Sequence, residues 1–460
     1  MKKPTPSGGR KPILAAYDSP MPDRPHAARL AAPILVVLAA AILVAACAVA
    51  SPSPLPSPTS SPTLAPERTG GVVSPSPVST ASPSPGPSLS PAELEALIAQ
   101  TEASVPPIRQ LEPKSKVPDR IVDEAGLQVD LKRFISEAAT PKEYAVQARL
   151  GERLGFFPAG TDLAATQLEL LGDQVLGYYD DKRNEMTVVQ RGGAFGPLER
   201  VTLAHEYTHA LQDQHFDLGS LDREDLSNGD RSLARTALVE GDASLLTQQW
   251  SLANMTFAEI LAITKQALDP ASMAVLSRVP PLLARQLTFP YQEGLDFANG
   301  LFGQGGWAAV DAAFTAPPDS TEQILHPEKY TTREEPLKVA APISAKALGR
   351  GWSEATQDTI GELGTAVWLE PTAGKRAAAD AASGWGGDRI VLLEGPDDGW
   401  LLAWQTAWDT PTDADAFAVA AQAQVATLAN PATVVHVAGS SDVQIRIASA
   451  GELLRAPAGS

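Results

Sequence analysis

Residues 51 to about 91 are almost entirely Ser, Pro, Thr, Ala, Val and Gly, with Glu67 and Arg68 the only charges. Such a stretch cannot bury a core; it favours extended, polyproline-like chain and reads as a stalk. It divides the 460 residues into a short N-terminal piece and a folded part that begins near residue 92. A chain of this length has room for two or three domains. The only cysteine is Cys47, which excludes an intrachain disulfide and a cysteine-built zinc site. A transition metal would have to use histidine and carboxylate. Of 36 basic and 54 acidic side chains, six and two precede residue 48, so 30 and 52 remain beyond it. A surface this acidic repels phosphate backbones, which argues against nucleic acid as a partner.

The N-terminal piece reads as an address. Lys2, Lys3, Arg10, Lys11, Arg24 and Arg29 form a basic leader over 1–29, expected in the cytoplasm, and an apolar run follows over 30–50. The run just reaches the roughly 20 residues a spanning helix needs. Leu43-Val44-Ala45-Ala46-Cys47 also resembles the lipobox of bacterial lipoproteins, which implies removal of the signal and a lipid on Cys47. The solitary cysteine favours the lipid anchor, and the long leader keeps a single N-terminal helix open. Either anchor places the rest at the extracytoplasmic face of the membrane.

Along the folded part, Ser90-Pro91 opens a helix, and a second is expected over 119–139. Gln174–Tyr179 and Glu185–Gln190 flank a polar turn and predict a hairpin. Pro197 suits the first turn of a long helix. Further helices are expected over about 230–253, 255–267, 290–302 and 305–314, with a capping box at Ser320–Gln323. Beyond residue 342 the pattern predicts helix over 353–383, a tight turn at Trp385–Asp388, strands at 389–394 and 400–408, a helix over 413–428, and two closing strands. Trp400, Trp404 and Trp408 share one strand face, which reads as core before it reads as a binding surface.

The chemistry is concentrated in His205-Glu206-Tyr207-Thr208-His209. Positions four apart on a helix lie on one face, so both imidazoles can reach one metal ion. Zinc suits them, and Glu206 beside the first ligand is placed to take a proton from an activated water. With six histidines in the chain, chance would give this spacing on the order of a few times per thousand. Val201, Ala204, Thr208 and Leu211 form an apolar face beside the histidines, as expected of a helix buried on one side. A catalytic zinc needs a third protein ligand and an open position. His215 is six residues on and faces elsewhere. Glu240, in Ala237-Leu238-Val239-Glu240-Gly241-Asp242-Ala243 on the next long helix, is the better candidate, with Asp242 its rival.

The HEYTH string followed by a Glu-Gly-x-Ala glutamate resembles the gluzincin zinc metallopeptidases. The longer HEYTHALQDQHFD, with STEQILHP at 320–327 and GWGGDR at 384–389, is similar to a largely uncharacterised group of bacterial and archaeal membrane-linked proteins of that type. The similarity extends over about residues 115–420, and only the metal motif in it has a specific chemical meaning. It implies His205, His209 and Glu240 as ligands of one Zn2+ per chain and Glu206 as general base. The chain departs from the thermolysin pattern, because Ser244 stands where an Asp follows the ligand glutamate. The resemblance also implies a substrate-pairing strand at 185–190. Tyr291 and His326, and more weakly Tyr330, are candidates to stabilise the transition state, and Asp213, His215 and Asp217 to orient the imidazoles.

Together these features predict an α+β chain. A mainly helical zincin-like catalytic domain with a small hairpin or sheet occupies 92–342, and a smaller α+β accessory domain occupies 343–460. The expected function is a zinc-dependent peptidase acting on a peptide or protein. The alternative is a zincin-fold binding or cell-envelope lipoprotein with weak or no hydrolysis.

Overall fold

The structure, a computed structural model, describes residues 89–190, 195–221, 227–267 and 276–457. The basic leader, the apolar run with Cys47 and nearly all of the Ser/Pro stretch lie outside the described residues. Among the described residues no helix is long and apolar enough to cross a membrane.

The fold is α+β, with two small sheets set among helices. Helix α1 (Pro91–Ser104) starts on a capping box in which Ser90 and Glu93 satisfy each other's backbone N–H groups. A short turn, α2 (Pro106–Arg109), follows, then strand β1 (Asp119–Val122), α3 (Glu124–Ala138), α4 (Pro141–Leu154) and α5 (Leu163–Gln174). The helix expected over 119–139 is therefore a strand and a shorter helix. Arg120-Ile121-Val122 is drawn into parallel pairing with 187–189, and Asp123 starts α3 by accepting from the Gly126 N–H.

Strands β2 (Gly177–Asp180) and β3 (Glu185–Val189) form the expected hairpin, with Asn184 at φ 49° in its turn. The sheet order is β1-β3-β2. This corrects the expectation for 185–190: β3 is paired on both sides and cannot accept another strand. The edge beside the metal-motif helix belongs to β2.

Helix α6 (Pro197–Phe216) carries the His-Glu motif, α7 (Gly229–Asn254) carries Glu240, and α8 (Phe257–Ala267) follows. Helix α9 spans Pro281–Gly305, nine residues longer at its start than expected, with Pro290 inside it. Pro281 at its first turn is the start signal, so Pro290 falls within the helix. Helices α7 and α9 cross in near contact, because a Cβ on Gly241 would strike the Gly294 carbonyl and one on Gly294 the Ala237 carbonyl. Then come α10 (Trp307–Thr315) and α11 (Thr321–Leu325).

The C-terminal part is a five-stranded antiparallel sheet of order β4-β5-β6-β8-β7, with its longer helices on one face and Ile343, Leu348 and Leu453 among the residues covering the other. Its elements are β4 (Ser353–Asp358), α12 (Gly361–Ala373), α13 (Lys375–Ala382), β5 (Trp385–Glu394), β6 (Trp400–Trp408), α14 (Pro411–Val425), β7 (Ala432–His436) and β8 (Asp442–Ala448). The helix expected from 353 is a strand up to Asp358: pairing with β5 overrides the helix propensity of Glu354, Ala355 and Gln357. Trp385–Asp388 is not a turn but the bulged start of β5, where Gly387 leaves room for the Leu337 carbonyl. Trp404 and Trp408 are buried against Phe417, and Trp404 also packs on Trp368, so that strand face is core.

One apolar cluster runs through Leu150, Leu154 and Leu170, the start of α9 at Leu282 and Leu283, and Trp368, Ile390 and Trp404. The C-terminal sheet thus shares its core with α4, α5 and α9. A second cluster surrounds α6 and α7.

Candidate metal centre

Helix α6 is buried along its motif, and His205 and His209 are each 1% exposed. Helix α7 packs against it and brings Glu240, also 1% exposed, to the same point. Glu240 Oε2 lies 3.2 Å from His205 Nε2 and 3.3 Å from His209 Nε2. These three side chains form a group able to hold a metal ion, with their ligand atoms within 4.8 Å of one another.

The surrounding hydrogen bonds decide which way each ring presents its lone pair. The Thr247 hydroxyl donates to the Ala243 carbonyl at 2.7 Å, so its oxygen is left to accept from His205 Nδ1 at 3.1 Å. The Gln212 amide nitrogen donates to the Val239 carbonyl and to Asp242, which turns its oxygen towards His209 Nδ1 at 2.8 Å. Both Nδ1 atoms are thereby donors, and both Nε2 lone pairs face Glu240. Two lone pairs and a carboxylate converging in a buried place repel one another unless a positive charge stands among them. The charges reflect this. Burial favours neutral His209, but the adjacent Glu240 carboxylate outweighs it and pushes the ring up to about 9. Burial also works against an ionised Glu240, yet the two imidazoles hold it at about 2. His205 is lowered, chiefly by burial.

The support extends outward. Asp242, the rival ligand, is instead gripped by Arg109 through Nε at 2.7 Å and Nη2 at 3.0 Å. Arg109 is fully buried, also binds Asp311 at 2.6 Å, and lies over the Trp307 ring. Arg109, Asp242 and Gln212 thus form one chain that ends on His209. Sequence reading missed all of this apart from the acid. Gln212 was accessible to it, three residues beyond His209 on the same helical face. Thr247 stands seven residues beyond Glu240, another repeat of one face. Arg109 carried no signal, being 133 residues from Asp242.

Glu206 is fully buried, and the Tyr179 backbone N–H is the one donor near its carboxylate. Burial pushes its carboxyl well above the usual range; His209 and the Tyr179 backbone N–H oppose that rise, and Glu240 adds to it. Strand β2 passes directly over it: a Cβ on Gly177 would lie 3.3 Å from Glu206 Cγ.

Tyr291 is buried with its ring 6.3 Å from that of His205, and it lines a cavity that reaches Glu240. The cavity measures about 130 Å³, and its apolar walls include Leu170, Leu233, Leu283, Ile360 and Leu363. His326 is not among the lining residues; its Nε2 pairs with Glu362 Oε1 at 2.9 Å. Tyr330 donates to the Ala316 carbonyl. Asp213 accepts from the Tyr179 hydroxyl, His215 pairs with the Glu112 carbonyl, and Asp217 ends α6 in the left-handed region. The groups that hold the imidazoles are therefore Thr247 and Gln212 rather than these three. A second acidic group, Glu322, Glu334 and Asp409, surrounds Lys329 Nζ at 2.5–2.8 Å, and the ammonium satisfies it.

Fold and centre together define an α+β chain with a buried two-histidine, one-carboxylate group. Residues 348–454 match a family described as a domain of unknown function, DUF8575. No curated protein matches the chain. A crystal structure from Chloroflexus aurantiacus, provisionally named a hydrolase with a novel fold, is similar over 52% of this chain and 88% of that one, at 16% identity and a TM-score of 0.33.

Proposed function

We propose that this chain is a zinc-dependent peptidase that cleaves peptide bonds at the extracytoplasmic face of a membrane, held there by a lipid on Cys47 or by the apolar run at 30–50. The observation that carries the reading is the convergence of His205 Nε2, His209 Nε2 and Glu240 Oε2, with both Nδ1 atoms anchored and buried Glu206 alongside. Zinc at that point would supply a Lewis acid and a water of lowered pKa. Glu206, next to His205 on the same helix, is the proton carrier, taking a proton from that water and returning it to the leaving nitrogen. Strand β2, the edge of its sheet that passes over Glu206, is the strand with which an extended peptide would pair, although its four residues are buried here. Tyr291 is the better placed of the two transition-state candidates, since His326 is held by Glu362.

One observation favours the second reading, a binding protein with weak or no hydrolysis: His205, Glu206, His209 and Glu240 are all at most 1% exposed. Metal analysis and peptide turnover on wild type, Glu206→Gln and Glu240→Ala separate the two. The peptidase reading expects about one zinc per chain in wild type and in Glu206→Gln, loss of zinc in Glu240→Ala, and turnover in wild type alone. Zinc without turnover in wild type supports the binding protein, and no zinc after reconstitution overturns the peptidase and leaves the binding protein.

A further inference from the structure

The cavity that reaches Glu240 has a second end. Gly229, Leu233, Thr236 and Glu240 line it along one face of α7, so it follows that helix for three turns. At the far end stands Asp358, the last residue of β4 and 2% exposed. Its Oδ1 accepts from the Gly229 N–H and from its neighbour Thr359, each at 2.8 Å, while Oδ2 is buried without a partner. Asp230, also lining the cavity, lies beside it and is taken up by Thr321. The space between is apolar. About 130 Å³ corresponds to on the order of ten waters, enough for one long side chain and its backbone.

We infer that this channel is a specificity subsite for a lysine-like side chain, with Asp358 of the C-terminal sheet binding the ammonium and the leucine walls covering the methylene stem. Apolar walls ending in an unpaired acceptor suit a group that is itself an apolar stem with a charged tip. Asp358 and Asp230 are both raised by burial, to about 7 and about 8, so an ammonium there would meet carboxylates otherwise short of positive charge. The charge of Arg389 acts on Asp358 in the opposite sense, while its guanidinium bonds to the Ser227 carbonyl rather than to Asp358. The geometry also sets a distance. Gly229 and Glu240 are eleven residues apart on α7, about 16 Å at 1.5 Å per residue. A lysine stem accounts for about 6 Å of that. The remaining ~10 Å is about three extended residues, so the lysine lies within three residues of the scissile bond.

The inference rests on the peptidase reading for the identity of the ligand, and two measurements keep their failures apart. In the first, the full chain stripped of metal is heated with 1-pentylamine or 1-pentanol. The amine should raise Tm and the alcohol should not, and Asp358→Asn, which keeps an acceptor for the Gly229 N–H, should remove the shift. Leu283→Trp, which fills the channel and leaves Asp358 in place, should remove it too; a shift that survives this filling overturns the subsite. In the second, the zinc-loaded chain cleaves matched peptides carrying lysine or norleucine at each of the three positions. Lysine should be preferred at one position by roughly tenfold in kcat/KM, and Asp358→Asn should erase the preference by bringing the lysine peptide down to the norleucine one. Equal loss on both peptides would make Asp358 only a helix cap and sink the proposal. An Asp358-dependent amine shift without any turnover would keep the subsite and overturn the peptidase reading instead.

Discussion

Gln212 is a positioning residue whose removal gives a sharp test. Gln212→Leu takes away the acceptor for His209 Nδ1 and should weaken zinc affinity by about 10–100-fold with Glu206 untouched. Competition with a chelator of known affinity checks it; unchanged affinity would mean that the ring is held by packing alone. Arg109→Ala acts further from the site, leaving the Asp242 carboxylate buried without its cation and held by Gln212 alone. It should cost about 3–5 kcal/mol in denaturant unfolding, more than any exposed arginine of the chain. At this scale the site was half legible. His205, Glu206 and His209 were visible because their relation is local, one helix turn apart. Glu240 needed only the assumption of a second helix returning past the first. The anchoring of Asp242 and the role of His326 depend on partners 133 and 36 residues away, and no local pattern encodes such distances.

Among elements, the crossing of α7 and α9 fixes where Glu240 sits. Gly294→Val should force the helices apart at Ala237 and Gly241, costing about 1–3 kcal/mol and moving Glu240 away from the two imidazoles. Thermal unfolding with zinc titration tests this: a variant that loses stability but binds zinc normally would show that Glu240 does not depend on the crossing. Long helices with clear caps were legible, α6 and α7 above all. The misread elements share a physical cause. At 119–122 and 353–358, residues of mixed propensity take their structure from a strand far away in sequence, β3 and β5, and at 385–388 two glycines serve close packing rather than a turn.

For the whole molecule, the buried carboxylates predict how stability depends on pH. Asp230 is raised to about 8, and Asp358 and Glu322 to about 7, each chiefly by burial. A carboxyl raised in the folded state holds a proton that the unfolded chain has already released above about pH 4. Its contribution is whole below that point and is lost as pH rises through the folded value, at up to about 1.4 kcal/mol per pH unit for each proton. Between pH 4 and 8 these groups should make the chain less stable as pH rises, and Asp230→Asn should flatten the slope. Urea unfolding at several pH values reads it directly, and an identical slope in the variant would remove Asp230 from the account.

The apolar core shared between α4, α5, α9 and the C-terminal sheet carries a consequence for proteolysis. The segment 333–341 that joins the two parts is largely exposed, whereas Leu170, Leu283, Trp368 and Trp404 are buried in or against one another's cluster. A single cut in that segment would release nothing: the two fragments would stay together as a heterodimer made from one chain, with the cavity wall still in place.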